Sequence, residues 1–262
     1  MNRRDFMKSF GAGLGGLALG RRALGQTPFP GRGPEKYDFF FAQLVYGQGL
    51  AWNPRPSVAR SLAQILNHRT SIPASPERVE LKPSSPELPL YPFLYWSGES
   101  EFDPLPESDI TLLRAWFEAG GFLFADDAMG MEDSGFDRSF RRELKRIFPD
   151  HELKQIPGDH TIFQSYYLLD GVSGRKASAA YFSGIDRGEL TVVIYSQNDM
   201  AGAIEQGAGS AFRYSVEPGG ERQRERATRL WVNIVLYALT ANYKKDTIHT
   251  GFISERRKRR PR

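Results

Sequence analysis

Apolar positions come in two alternating kinds along this chain. Short continuous runs, Tyr37–Leu44, Tyr91–Trp96, Phe122–Ala125 and Leu190–Tyr195, have the length and continuity of strands buried on both faces. Between them lie stretches with helical spacing. Val58, Leu62, Ile65 and Leu66 share one side of a helix over 56–68, with Pro56 in its first turn. Ile110, Leu113, Trp116 and Phe117 share a face of a second helix, with Ser108 placed as its cap and Gly120-Gly121 at its end. Phe140, Leu144 and Ile147 define a third over 136–148, whose outer face carries Arg141, Arg142, Lys145 and Arg146. A long closing helix over 221–243 begins charged and then turns a broad apolar face made by Leu230, Trp231, Ile234, Val235, Tyr237, Ala238 and Leu239. Residues 72–89 hold five prolines and read as a long connection with one short strand at 78–81.

Strand, helix and strand within 91–127 form the βαβ unit of a parallel sheet. The alternation predicts an α/β fold, a three-layer sandwich with a mainly parallel sheet of flavodoxin-like kind. One domain spans 37–250, after a Pro- and Gly-rich lead-in at 26–36 and before a basic tail at 251–262.

Residues 1–25 read differently. Arg3 and Arg4, then Phe6 and Lys8, precede an uncharged Gly- and Ala-rich run, and Ala23-Leu24-Gly25 offers a cleavage site before Gln26. This pattern resembles a twin-arginine export signal, which implies the twin-arginine translocon as a partner and the periplasm or cell envelope as destination, with a membrane tether if the signal stays uncleaved. The apolar run, at about ten residues, is short for a span that needs ~20.

Charge follows the same division. The chain is formally +4, yet the leader and the run Arg256–Arg262 hold most of the excess, which leaves the central domain acidic. Nucleic acid is therefore not an expected ligand. The tail either meets anionic lipid or is a solvated terminus. There is no cysteine, so disulfides, thiolate catalysis and thiolate metal sites are excluded together.

The blocks 41–46, 91–98, 112–127, 139–144, 159–163 and 193–199 resemble the bacterial family called domain of unknown function 4159, which is similar in fold to class I glutamine amidotransferase domains. Those use a cysteine at a strand-to-helix turn. With none here, glutaminase chemistry does not carry over. The resemblance implies an accessory or binding role beside an envelope protein partner.

In an open parallel sheet, ligands sit beyond the carboxyl ends of the strands. That rim predicts ligand-binding candidates Gly98, Glu99, Asp126, Asp127, Asn198 and Asp199, joined by His160 beside Asp159. No organic cofactor is expected. A divalent cation would take Asp126, Asp127, His160 and Asp199 as ligands. Plainer roles stand beside these: one of the paired aspartates capping the next helix and the other accepting from Arg141 or Arg142, His160 held for structure, and Asn198-Asp199 forming a turn. Gly11–Gly16 matches G-x-G-x-x-G, but no strand precedes it, and no phosphate loop, H-E-x-x-H or G-x-S-x-G occurs. The leading expectation is a non-catalytic or accessory binding module. The alternative is a metal-assisted hydrolase or carbohydrate-active enzyme, and a third class is an assembly protein docking through Trp231 and Tyr237.

Overall fold

The computed structural model describes residues 37–240. The segment read from the sequence as an export signal, the lead-in, the tail and the last residues assigned to the domain lie outside them. β1 (Phe39–Leu44), β2 (Ala74–Leu81), β3 (Phe93–Gly98), β4 (Phe122–Asp127), β5 (Lys154–Gln155), β6 (Ser183–Arg187) and β7 (Leu190–Ser196) form one sheet in the order β2-β1-β3-β4-β7-β6-β5. The run from β2 to β7 is parallel, and β6 and β5 extend it antiparallel. The chain folds as a three-layer α/β domain.

Alternation along each strand divides the core in two. Phe93 and Tyr95, Phe122 and Phe124, and Ile194 face α1 (Val58–Arg69) and the last helix. Leu94 and Trp96, Leu123 and Ala125, and Val193 and Tyr195 face α2 (Glu107–Glu118) and α3 (Gly135–Ile147). A five-residue helix, α4 (Met200–Ile204), follows β7, and α5 (Gly220–Thr240) closes the first face. The indole of Trp231 sits against Phe41, Tyr95 and Phe124, with ring centroids 6.3, 5.8 and 4.9 Å away, and donates from Nε1 to Met200 O. Trp231 and Tyr237 are therefore core residues, and the broad apolar face of α5 is spent against the sheet rather than offered to a partner.

Four local expectations need correction. Pro56 lies before the Ser57 cap of α1 rather than in its first turn. Ser108 lies inside the first turn of α2, which starts after Pro106 with no side-chain cap. β2 begins at Ala74 and runs through Pro76, which falls at the register shift between the paired Ala74 and Arg78 of this edge strand, where a residue without an N–H loses no ladder bond. β6, rich in Gly, Asp and Arg, and the short β5 add an edge that no apolar run announced.

Candidate functional site

The carboxyl ends of β3, β4 and β7 converge on one polar rim, and strand alternation decides what each rim side chain meets. Asp126 and Asp127 are consecutive in β4, so they point to opposite faces of the sheet. Asp126 turns toward α4. Its Oδ1 accepts from Met200 N–H and its Oδ2 from Ala201 N–H, both at 2.9 Å, with Tyr95 Oη donating at 3.3 Å. Asp127 turns toward α3, where it accepts from Met129 N–H at 2.9 Å and from the Ser134 hydroxyl. The pair thus builds two separate sites. One aspartate does serve a helix start, but that of α4 across the sheet, while Arg141 and Arg142 pair with Asp137 and Glu143 instead.

Both carboxyls are fully buried, and burial is the main cause of their raised pKa values. Asp126 is pushed up to about 8 by burial and then by the charge of Asp199, against the two helix N–H groups that favour ionisation. Asp127 is pushed up to about 6 by burial, opposed by the Ser134 and Met129 donors.

Asp199 forms the centre of the rim. It stands between β7 and α4 in the left-handed region, at φ 49 and ψ 60, and accepts from Gly202 N–H at 3.0 Å. Gly202 has no side chain because a Cβ there would run into this carboxylate. Arg55 grips Asp199 with two parallel bonds, Nε to Oδ1 at 3.0 Å and Nη2 to Oδ2 at 2.7 Å, and Arg175 Nε donates to the same Oδ2. Arg55 also donates to Glu99 at 2.7 Å, Ala128 O at 2.7 Å and Pro54 O at 3.0 Å. Tyr214 places its ring 4.6 Å from the Arg55 guanidinium carbon and 5.6 Å from that of Arg175. Burial works against the Arg55 cation, but the bonds and charges of Asp199 and Glu99 outweigh it and raise its pKa.

The remaining candidates separate into neighbours and an outlier. Asn198 is buried beside Asp199, and its amide accepts from Ser178 and Ala179 N–H and donates to Ala179 O, each at 2.8 Å, pinning the segment before β6. Gly98 ends β3 where a Cβ would run into Tyr46 Oη and the Phe136 ring, so glycine is dictated there by packing. His160 does not reach the rim. Its Nδ1 accepts from Ile162 N–H at 3.1 Å and its Nε2 lies 3.0 Å from Thr191 Oγ1, near the opposite end of β7. Thr191 Oγ1 bonds in turn to Asp186. A nitrogen that accepts a backbone N–H leaves the other ring nitrogen as donor, which is the structural role for this histidine. The proposed ligand set of Asp126, Asp127, His160 and Asp199 is therefore split between two ends of the sheet, and among the described residues no three His, Asp or Glu side chains are grouped to hold a metal ion.

The switch in strand order lies between β1 and β3, with β2 on the outer side of β1. Here that crevice is filled by the chain's own rings. Tyr46 donates from Oη to Ser97 O at 2.9 Å and packs 4.5 Å from the Phe102 centroid, and Phe102 lies 5.8 Å from Phe136. Clefts open away from the rim, one of about 450 Å³ beside Trp116 and one of about 550 Å³ between α1 and α5.

Sequence reading missed Arg55, Arg175, Tyr214 and Ser134. Arg55 carried one hint, an arginine set between Pro54 and Pro56 in the loop after the first strand. Ser134 caps α3 by accepting from Asp137 N–H at 2.9 Å while donating to Asp127. Ser134→Ala removes both bonds, and is expected to lower stability by about 1–2 kcal/mol in a urea titration. A loss below a few tenths would mean that neither bond matters to the fold.

No curated protein matches the chain. Among solved structures it is similar to alpha-L-fucosidase isoenzyme 2 from Paenibacillus thiaminolyticus, at 11% sequence identity and a TM-score of 0.31, over 80% of this chain and 34% of that one. The chain thus spans about a third of that enzyme's length. The family described as a domain of unknown function, DUF4159, matches residues 40–239, from β1 to the last turn of α5, and the chain belongs to that family.

Proposed function

We propose that this chain is an exported domain of the cell envelope with an amidotransferase-like fold, acting as a non-catalytic, accessory binding module for an envelope protein. The observation that carries the reading is the state of the strand-to-helix turn after β7. A left-handed residue between a strand and a helix is how α/β enzymes lift a nucleophile into view. Here the residue is Asp199, fully buried and neutralised by Arg55 and Arg175. A carboxylate held by two guanidiniums and a helix N–H is neither a free nucleophile nor a base. The aromatic filling of the switch crevice supports the same view, since a small substrate would have to displace Tyr46 or Phe102.

What the rim offers to a partner lies on its loops. Leu50 after β1 and Met129 and Met131 after β4 are exposed, and Glu99 keeps nearly half of its side chain in solvent. Exposed methionines suit a protein surface because the side chain adapts to what it meets. Leader residues Arg3, Arg4, Phe6 and Lys8 supply the route, through the twin-arginine translocon.

A photo-crosslinker placed at Leu50 or Met131 in the exported full chain, with Lys154 at the opposite edge as control, tests the binding role. Discrete adducts at the two rim positions and none at the control are expected. Equal labelling at all three would remove the rim as a partner site. Metal analysis of the same protein provides the other arm: a stoichiometric divalent ion, lost in Asp126→Asn, would replace the binding reading with the metal-assisted hydrolase.

A further inference from the structure

The outer side of α5 and the loop that packs beside it carry a feature with no part in the rim. Arg222, Arg226 and Arg229 follow one another at i, i+4 and i+7, so they form one stripe, turned away from the buried Ala227, Leu230, Trp231 and Ile234. Their charge is only partly spent. Arg226 gives one Nη2 bond to Asp170 at 2.6 Å, and Arg229 gives its Nε to Glu225 at 2.8 Å. Glu225 is already engaged by Arg69 through two bonds of 2.7 Å. Arg222 makes no ion pair among the described residues. This concentration of positive charge is local, because residues 37–240 hold 20 lysines and arginines against 27 aspartates and glutamates.

Beside the stripe stands a loop held with unusual firmness. The side chain of Asn233, fully buried in α5, accepts from the N–H groups of Tyr166 and Tyr167 at 3.2 and 2.8 Å. It donates to Ile162 O and Tyr167 O at 2.8 and 2.9 Å. Tyr166 Oη adds a bond to Arg69 O at 2.8 Å. The loop thus fixed lifts Leu168 into solvent at 72% exposure, with Tyr166 at 49%. Leu168 and Leu169, the three arginines and their partners Asp170 and Glu225 line one open cleft of about 570 Å³, so its positive excess rests on Arg222.

We propose that this surface docks on an anionic lipid bilayer, the guanidiniums taking headgroup phosphates and Leu168 and Tyr166 entering the boundary with the acyl chains. Arginines alone would serve any polyanion. The rigid, exposed leucine decides between them, since it gains nothing from a soluble polyanion but is buried by an interface. Guanidinium is also suited to phosphate through its planar fork of donors. The inference rests on the folded surface alone and stands whether or not the rim binds a protein.

Sedimentation of the full chain with vesicles of phosphatidylcholine, with and without roughly one part in three of phosphatidylglycerol, tests it, because leader and tail are identical in every variant. Arg222→Gln is expected to weaken partitioning onto the anionic vesicles about 5-fold, and Arg222→Gln with Arg226→Gln about 30-fold. Leu168→Ser should weaken it several-fold while leaving binding to dextran sulfate unchanged, because it removes the apolar side chain without adding charge. Arg222 and Leu168 are exposed and unpaired, so those single variants keep the fold even if the double variant does not, and urea midpoints verify it. Unchanged partitioning in Arg222→Gln would place the binding elsewhere on the chain. A wild-type response in Leu168→Ser would make the surface a site for soluble polyanions and overturn the bilayer.

Discussion

Arg55→Ala is expected to lower the stability of the domain by about 3–5 kcal/mol, the usual loss when one partner of a buried ion pair is removed. Arg55 is 5% exposed and Asp199 not at all, so water does not replace the missing guanidinium. Five hydrogen bonds go with it, and they tie together the loops after β1, β3, β4 and β7. Arg175 still neutralises Asp199, which puts the expected value toward the lower end of the range. A second variant separates charge from packing. In Arg55→Ala with Asp199→Ala no carboxylate is left stranded by the loss of Arg55, so the double variant should lose less than the two singles added together. Urea unfolding at neutral pH measures all three. A loss under about 1 kcal/mol in Arg55→Ala would show that the clamp is replaceable, and the reading of Asp199 as a locked residue would fall with it.

The βαβ unit over 91–127 was legible because β3 and β4 are buried on both faces and α2 shows a clean apolar stripe. β6 escaped because Ser183-Gly184-Ile185-Asp186-Arg187 holds one large apolar residue and its pairing comes from β7. α4 is five residues long and shows no periodicity to read. The rim was legible in outline, since the carboxyl ends of parallel strands follow from strand positions alone. The period of two along a strand already says that Asp126 and Asp127 part company. What each one meets does not follow, for Asp126 is satisfied by helix N–H groups 74 and 75 residues away and Asp199 by an arginine 144 residues away. His160 shows the same limit from the other side. Its neighbour Asp159 suggested an assisted imidazole, whereas its ring is held by Thr191 and lies 5.4 Å from Tyr237.

The second large effect is a dependence of stability on pH set by Asp126. In the unfolded chain this carboxyl loses its proton near its ordinary value of 3.8, and in the fold it keeps it up to about 8. The folded state therefore holds more protons between those values, so this contribution is complete below 3.8 and is lost as pH rises toward 8. Asp127 acts in the same direction up to about 6. Glu225, lowered to about 2 chiefly by its bonds with Arg69, acts the opposite way, giving stability that is lost as pH falls below the ordinary glutamate range. Above pH 6 Asp126 is left to dominate, and unfolding free energy is expected to fall with rising pH by at most about 1 kcal/mol per unit, the slope fading as pH approaches 8. Asp126→Asn provides the check. An amide cannot ionise, so the variant loses this slope, yet it sets an NH2 group against the N–H of Met200 or Ala201 and costs about 1–3 kcal/mol at pH 6. The gap between wild type and variant should then narrow as pH rises, and parallel curves across pH 6 to 8 would mean that Asp126 is ionised in the fold throughout. That outcome would place a second buried negative charge beside Asp199, with Arg55 and Arg175 left to balance both.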